Sequence, residues 1–278
     1  MAADTGKVAI APEPATRAVL KPAKRRWVWY DDERVLGWGS VAFVIAFWEI
    51  AARVTGVSAL YLPKPSGIVV ALVHMFRSGD LVIDLAWTLY RIFAGFFLAI
   101  VVGTALGIWI AMSKRVRAVA DMFIAMLYPL PKVTLIPLLV IWLGTGGPFM
   151  LTISFLGAIF PIVINTVLGV RQCDQGLVLA ARDLGATQRQ IMLRVLLPSA
   201  IPSIFAGIRL GLGVSIILVV AAEMVVGKLG LGARLYLSGQ ILETEQVFAV
   251  LIVLASLGIV VTKAQDAIDR LLGRWRLA

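Results

Sequence analysis

The chain has 278 residues, of which 60% are hydrophobic and 15% charged, with a mean hydropathy of +0.93. That is too apolar for a soluble domain, whose surface must be wet, and it predicts an all-α fold: a polytopic helical membrane protein. One cysteine, Cys173, excludes an internal disulfide, and one histidine, His74, leaves no His/Cys metal cluster. The net charge of +10 is dispersed among loops without a basic domain, so no nucleic-acid partner is expected.

Residues 1–34 hold Pro12, Pro14, Pro22 and seven Lys or Arg, with no apolar run before Trp27. They read as a disordered basic cytoplasmic tail rather than a cleaved signal. The pair Arg25-Arg26 resembles a twin-arginine export signal, but the acidic Asp31-Asp32-Glu33 behind it argues against that reading. Hydrophobic runs then predict six spans, roughly 35–54, 86–112, 118–143, 149–170, 201–226 and 246–262, so that 35–262 is the transmembrane domain.

The second span is long. Leu81 to Met112 makes about 48 Å of helix against a hydrocarbon core of about 30 Å, so its first turns are expected outside the core. The third contains Pro129, Pro131 and Pro137, which must bend or break it, and Lys132 lies among them. Segment 227–245 is too polar to cross and is expected as an external cap. Residues 263–278 place Ile268, Leu271, Leu272 and Trp275 on one face at helical spacing, which predicts an amphipathic cytoplasmic helix lying on the membrane surface.

Lysine and arginine set the orientation. Seven fall in the first 34 residues, three in 113–117, four in 171–195 and four from Lys263 onward, against five in the opposite loops. The positive-inside rule therefore places both termini, and the polar segment before the fifth span, in the cytoplasm.

That segment, LAARDLGATQRQIMLRVLLP (179–198), interrupts two strongly apolar stretches. Two alanines, a glycine four residues later, then an apolar residue, a spacer and Leu-Pro make a pattern: Ala180, Ala181, Gly185, Val195, Leu197 and Pro198. It resembles the EAA signature of permease subunits in binding-protein-dependent ABC importers, with Leu179 in the place of the glutamate. Small residues let a partner approach a helix backbone, Gly185 supplies the φ > 0 that ends one helix and starts another, and Pro198 suits the first turn of the next span. The bland alternative is an ordinary polar connection between two spans.

Further segments carry the likeness in order: YLPKPSG (61–67), PLPKVTLIPLLVIWLGTG (129–146), FPIVINT (160–166) and GIRLGLGVSIILVVAAEMV (207–225). They look like the nitrate/sulfonate/taurine branch of these permeases. The resemblance implies a multi-pass subunit of the bacterial inner (plasma) membrane that works as a pair, a homodimer. It implies docking through a cytoplasmic coupling helix (coupling segment 174–198) onto an ATP-binding-cassette ATPase subunit. Solute would arrive from a periplasmic or lipid-anchored binding protein, and would be a small oxyanion, a sulfonate or a pyrimidine precursor. No G-x-x-x-x-G-K-[S/T] occurs, since Gly6-Lys7 and Gly227-Lys228 lack the upstream glycine and the Ser/Thr. ATP is therefore expected on the partner subunit, with no cofactor in this chain. H-E-x-x-H and G-x-S-x-G are also missing, which removes metalloprotease and serine hydrolase readings.

Charges inside the spans are candidates for a translocation pathway because they are expensive in lipid. These are Lys132, Arg91, Arg209 and Glu223, with Glu49 as a further partner or gate residue. Structural alternatives stand beside each: Lys132 bonded to a carbonyl, Arg91 marking an interface, Arg209 an anchor. Asn165 is expected as interhelical glue, and the pairs Gly103/Gly107 and Gly207/Gly211, followed by Gly213, as close packing within the subunit. A secondary active transporter would explain the spans and charges but calls for an inverted repeat, which is not found. A membrane scaffold subunit needs no broken span with a lysine in it. The membrane lipid itself is a partner of the basic loops.

Overall fold

The structure, a computed structural model, describes residues 33–273, and among them every regular element is helical. The chain divides into one unit ending at Phe47 and a second beginning at Trp48. The expected tail 1–34 therefore lies outside the described residues apart from its last two, which open the first helix.

In the first unit, α1 (Glu33–Val54) is an apolar helix whose residues 35–47 are all exposed, with the Phe43 and Phe47 rings stacked at 6.4 Å. With nothing of its own unit to cover them, these side chains present the surface that hydrocarbon would wet.

The second unit takes over within α1. Glu49 accepts from the Ser66 backbone N–H at 3.0 Å and its hydroxyl at 2.9 Å. It thus caps α2 (Pro65–Arg77), which opens on a proline whose missing N–H would have had no partner there. Glu49, expected as a partner or gate residue, is here a partner of Ser66 and Arg53. Next come α3 (Asp80–Met112), α4 (Lys114–Leu127), a 3-10 turn at Lys132–Leu135 and α5 (Ile136–Leu143). They are followed by α6 (Gly147–Arg171), α7 (Gln175–Asp183), α8 (Gln188–Ile191), a π-helical turn at Met192–Leu196, α9 (Leu197–Val226), α10 (Leu231–Gln240) and α11 (Thr244–Gly273).

The expected break in the third span is present. α4 and the Lys132–Leu143 segment are bent by 87° across the prolines, and counting them as one span gives six among the described residues. Two boundaries differ from expectation. The C-terminal amphipathic segment is, through Gly273, an unbroken continuation of α11, and Trp275, Arg274 and Arg276 lie outside the described residues. Pro198 stands in the first turn of α9 as expected, but no loop precedes it, because α8, the π turn and α9 run on as one 39-residue helix, Gln188–Val226. A proline inside an α-helix removes one hydrogen bond and crowds the carbonyl four residues back. Here the π turn absorbs the misfit: the Leu197 N–H reaches back five residues to Met192, and the Ser199 hydroxyl takes the Val195 carbonyl at 2.8 Å.

α6 is the centre of the bundle, with α3 and α9 pressed on either side. Small residues allow it. A Cβ on Gly107 would come within 2.5 Å of the Thr166 Cβ, and one on Gly207 within 2.7 Å of the Asn165 Cβ. Gly95, Gly103, Gly157, Gly169 and Gly211 meet neighbouring helices in the same way, whereas Gly213 faces open space. Both G-x-x-x-G pairs thus pack within the subunit. Two hydroxyls add a ladder across the three helices: Ser154 donates to the Ile92 carbonyl at 2.6 Å, and Ser215 donates to the Ser154 carbonyl at 2.7 Å. Such interhelical bonds average about 0.6 kcal/mol, less than the about 1–3 kcal/mol cost of overpacking a close-fitted core, so shape dominates. Asn165 is not the expected interhelical glue. Its amide donates at 2.8 Å to Pro161 of its own helix.

Candidate functional site

Two polar regions sit at opposite ends of the α3–α6–α9 bundle. At one end, residues 172–198 fold as two short helices around a small apolar core. Asp174 caps α7 by accepting from the Gly176 N–H at 2.8 Å. Thr187 and Gln190 close a reciprocal capping box on α8. Between them Gly185 has φ +82°, and its N–H donates to the Arg182 carbonyl at 2.8 Å while Ala186 reaches Ala181 at 2.9 Å. Nothing crowds Gly185, so the positive φ alone calls for glycine there.

Cys173, Val178 and Ile191 form the buried core, with Ala181, Val195 and Leu196 packed on it. The structure thus brings Ala181 and Val195 together, leaves Ala180 and Gly185 on the outside, and puts Pro198 within the long helix. Leu179, standing where the signature has glutamate, is 56% exposed, and Leu184 beside the turn is 88% exposed. These leucines are unexplained by packing inside the chain.

At the other end lies a buried charge node. Glu223, near the end of α9, has no exposed surface. Its carboxylate accepts from Arg91 at 2.6 Å, from the Thr88 hydroxyl at 2.8 Å and from the Gly232 N–H at 3.0 Å. Thr88 in turn accepts from the Leu231 N–H at 2.9 Å, and Asp84 accepts from the Gly230 N–H at 2.8 Å and from Arg234 Nε at 2.7 Å. The first amides of α10 are therefore held by three side chains from α3 and α9, so the expected external cap is fastened onto both. Gly230 has φ +116°, and a Cβ there would overlap the Glu223 carboxylate, so backbone and space both require glycine.

Of the four pathway candidates, Arg91 and Glu223 meet, and the other two stand apart. Lys132 donates to the Tyr128 carbonyl at 3.1 Å and lies 5.2 Å from the ring centroids of both Tyr128 and Phe160. It has the carbonyl of the structural alternative and a cation–π setting besides. Arg209 pairs with Asp266, tying α9 to α11. Glu223 is fully enclosed, and of the pair only Arg91 retains exposed surface. Sequence reasoning missed Asp84, Thr88 and Arg234. Asp80, Asp84, Thr88 and Arg91 recur at helical spacing on one face of α3, a signal hidden by starting the second span at residue 86. Among the described residues no group of His, Cys, Asp and Glu is arranged to hold a metal ion.

Residues 103–274 match the family described as "Binding-protein-dependent transport system inner membrane component". The chain belongs to that family. Relatives extend the match over most of the permease. It is 31% identical to the taurine transport system permease protein of Escherichia coli (strain K12), covering 92% of this chain and 95% of that one. It is 33% identical to a putative aliphatic sulfonates transport permease protein of Bacillus subtilis (strain 168), covering 95% of each. It is also 33% identical to the nitrate import permease protein of Synechocystis sp., over 69% of this chain and 72% of that one. Among solved structures it is similar to the MetNI methionine ABC transporter in an inward-facing conformation, with a TM-score of 0.59, 25% identity, and coverage of 67% of this chain and 93% of that one.

The permease is thus a multi-pass inner-membrane component of an ABC importer. ATP hydrolysis belongs to a separate subunit, and a substrate-binding protein completes the system. The secondary-transporter and scaffold readings fall with this assignment.

Proposed function

We propose that two identical copies of this permease form the passage of an importer for a small organic or inorganic anion, of the sulfonate or nitrate type. Likeness to taurine, aliphatic sulfonate and nitrate permeases supports that solute class. Both termini lie in the cytoplasm, where the loop charges are concentrated and interact with anionic lipid. ATP binds only to the partner ATPase, and this chain holds no cofactor.

In this reading residues 174–198 are the coupling segment. The observation that carries it is the exposed, locally capped turn at Gly185 with Leu179 and Leu184 uncovered beside it. Apolar side chains held out from a charged loop gain from a partner surface. Ala180 keeps the backbone of α7 accessible there, Ala181 packs α7 onto the small core beneath, Val195 and Pro198 join the segment to α9, and Arg91 and Lys132 line the passage. The test is the permease reconstituted with its ATPase and binding protein. Uptake of taurine, ethanesulfonate or nitrate with ATP hydrolysis is expected, and uptake confined to cations or neutral sugars would overturn the anionic assignment.

A further inference from the structure

Arg91 has a second side that the charge node does not use. A cavity of about 200 Å³ lies between the first half of α3 and the start of α6, with Trp87, Tyr90, Arg91, Thr145, Met150 and Leu151 on its wall. No carboxylate lines it, and neither Glu223 nor Leu229, the two partners of Arg91, is on the wall. Both partners are bound through Nη1, Glu223 at 2.6 Å and the Leu229 carbonyl at 2.6 Å. That leaves the N–H groups of Nε and Nη2 without a hydrogen-bond partner among the described residues. The guanidinium is also fixed by the Trp87 ring, whose centroid is 5.4 Å from Cζ.

The geometry assigns this cavity as a transit site for a short aliphatic sulfonate. The sulfonate oxygens take the open edge of Arg91 and the Thr145 hydroxyl, and the carbon chain lies against Met150, Leu151 and the Tyr90 ring. A preset guanidinium edge suits an oxyanion that accepts two parallel hydrogen bonds. The remaining wall is apolar or aromatic, which suits a short hydrocarbon body. At about 200 Å³ the space falls below the about 300–1,000 Å³ typical of sites for drug-sized ligands, so it admits a small solute.

Glu223 neutralises the formal charge of Arg91 without occupying the outward N–H groups. Binding is therefore held by directed donors and not by a strong net field, which keeps it weak. A solute in transit needs a site it can leave. The assignment rests on the anionic-solute reading above, and adds the place and the atoms.

The test uses full-length permease with its ATPase in phosphatidylcholine nanodiscs, with ethanesulfonate as probe and ethylammonium as control, read by saturation-transfer NMR. Wild type and Thr145→Asn are expected to bind ethanesulfonate and not ethylammonium. Thr145→Asp puts a carboxylate on the wall and should weaken binding at least about tenfold, because like charges brought together are repulsive. Ala94→Leu, which fills the cavity from α3, should abolish it. None of these variants alters the contact between Arg91 and Glu223, so thermal unfolding should stay at the wild-type value; if Ala94→Leu unfolds, the Thr145 pair decides.

Equal ethanesulfonate binding by wild type and Thr145→Asp overturns the site. So does loss of the signal when phosphatidylglycerol replaces phosphatidylcholine, which would make the cavity a lipid-headgroup site. Absence of binding to the wild-type permease, in an assembly that still imports sulfonate when supplied with loaded binding protein, overturns the site and leaves the permease reading standing.

Discussion

The two ends of the permease solve the same local problem, how to finish short helices, in opposite ways. At the α10 end, two of the three side chains that cap the helix start arrive from 143 and 146 residues away, and the third, Glu223, is a buried carboxylate matched by an arginine 132 residues away, a hydroxyl and an amide. At the coupling end, α7 and α8 are capped by their own neighbours, Asp174 two residues away and Thr187 three. The first arrangement locks three helices together and encloses the Glu223 carboxylate completely. The second keeps its shape alone and presents its bulky side chains outward. The fastener is built from long-range bonds, and the proposed docking surface from local ones.

The comparison breaks first at Glu223. Replacing it by leucine leaves Arg91 enclosed without its carboxylate and the Gly232 N–H unbonded, and removing one partner of a buried pair costs about 3–5 kcal/mol. Glu223→Leu is expected to lose most folded protein, measured as the monodisperse yield and unfolding temperature in detergent. Wild-type stability would show that the node fastens nothing. Next in size is Gly107→Leu, which drives a side chain into Thr166 on α6 and should cost about 1–3 kcal/mol or more by overpacking, read in the same unfolding assay.

Substitutions at the coupling end should disturb α7 and α8 locally, at a cost of about 1–3 kcal/mol, and reduce assembly more than membrane insertion. Gly185→Val forces a β-branched residue to φ +82°, and Ala181→Trp overfills the core beside Val178 and Ile191. Solute-stimulated ATP hydrolysis and ATPase co-purification are expected to fall in both while membrane insertion persists. Normal assembly in both would remove the coupling role from residues 174–198. Lys132→Met keeps side-chain length and removes charge, so expression should hold while anion uptake drops, with Lys132→Arg retaining more. Uptake by Lys132→Met equal to wild type would make Lys132 an anchor on the Tyr128 carbonyl and nothing else. The smallest effect is expected for Leu179→Glu, an exposed change whose stability should stay within about 0.5 kcal/mol of wild type. Lost assembly there would mean that the ATPase receives an apolar side chain at this position.

Spans, the broken third helix and the Gly185 turn were legible in the sequence because each rests on local chemistry: apolar run length, proline, and glycine at φ > 0. Pro198 was legible as a first-turn proline of α9, but the continuous helix before it was not. Proline at a helix start and proline accommodated by a π turn look alike in sequence, and only the Leu197-to-Met192 bond distinguishes them. The charge node was half legible. Arg91 and Glu223 were conspicuous as charges within apolar runs, but their pairing depends on α3 meeting α9 across 132 residues of chain. Asp84 and Arg234 fell in stretches that read as polar surroundings. Lys132 could be seen as costly, yet the ring of Phe160 that receives it belongs to a different helix.

The helix Gln188–Val226 has a mechanical consequence. It begins inside the coupling segment and carries Glu223 three residues before its far end. From Gln188 to Glu223 the axis spans about 50 Å at a rise of 1.5 Å per residue, more than the hydrocarbon thickness. Of its two prolines, Pro198 is accommodated by the π turn and Pro202 lies within α9, which runs on unbroken to Val226; on the proposed coupling role of residues 174–198, a tilt of α8 would be passed along this one helix to the carboxylate that holds Arg91. A single element would then link the proposed ATPase contact to the proposed solute contact at Arg91.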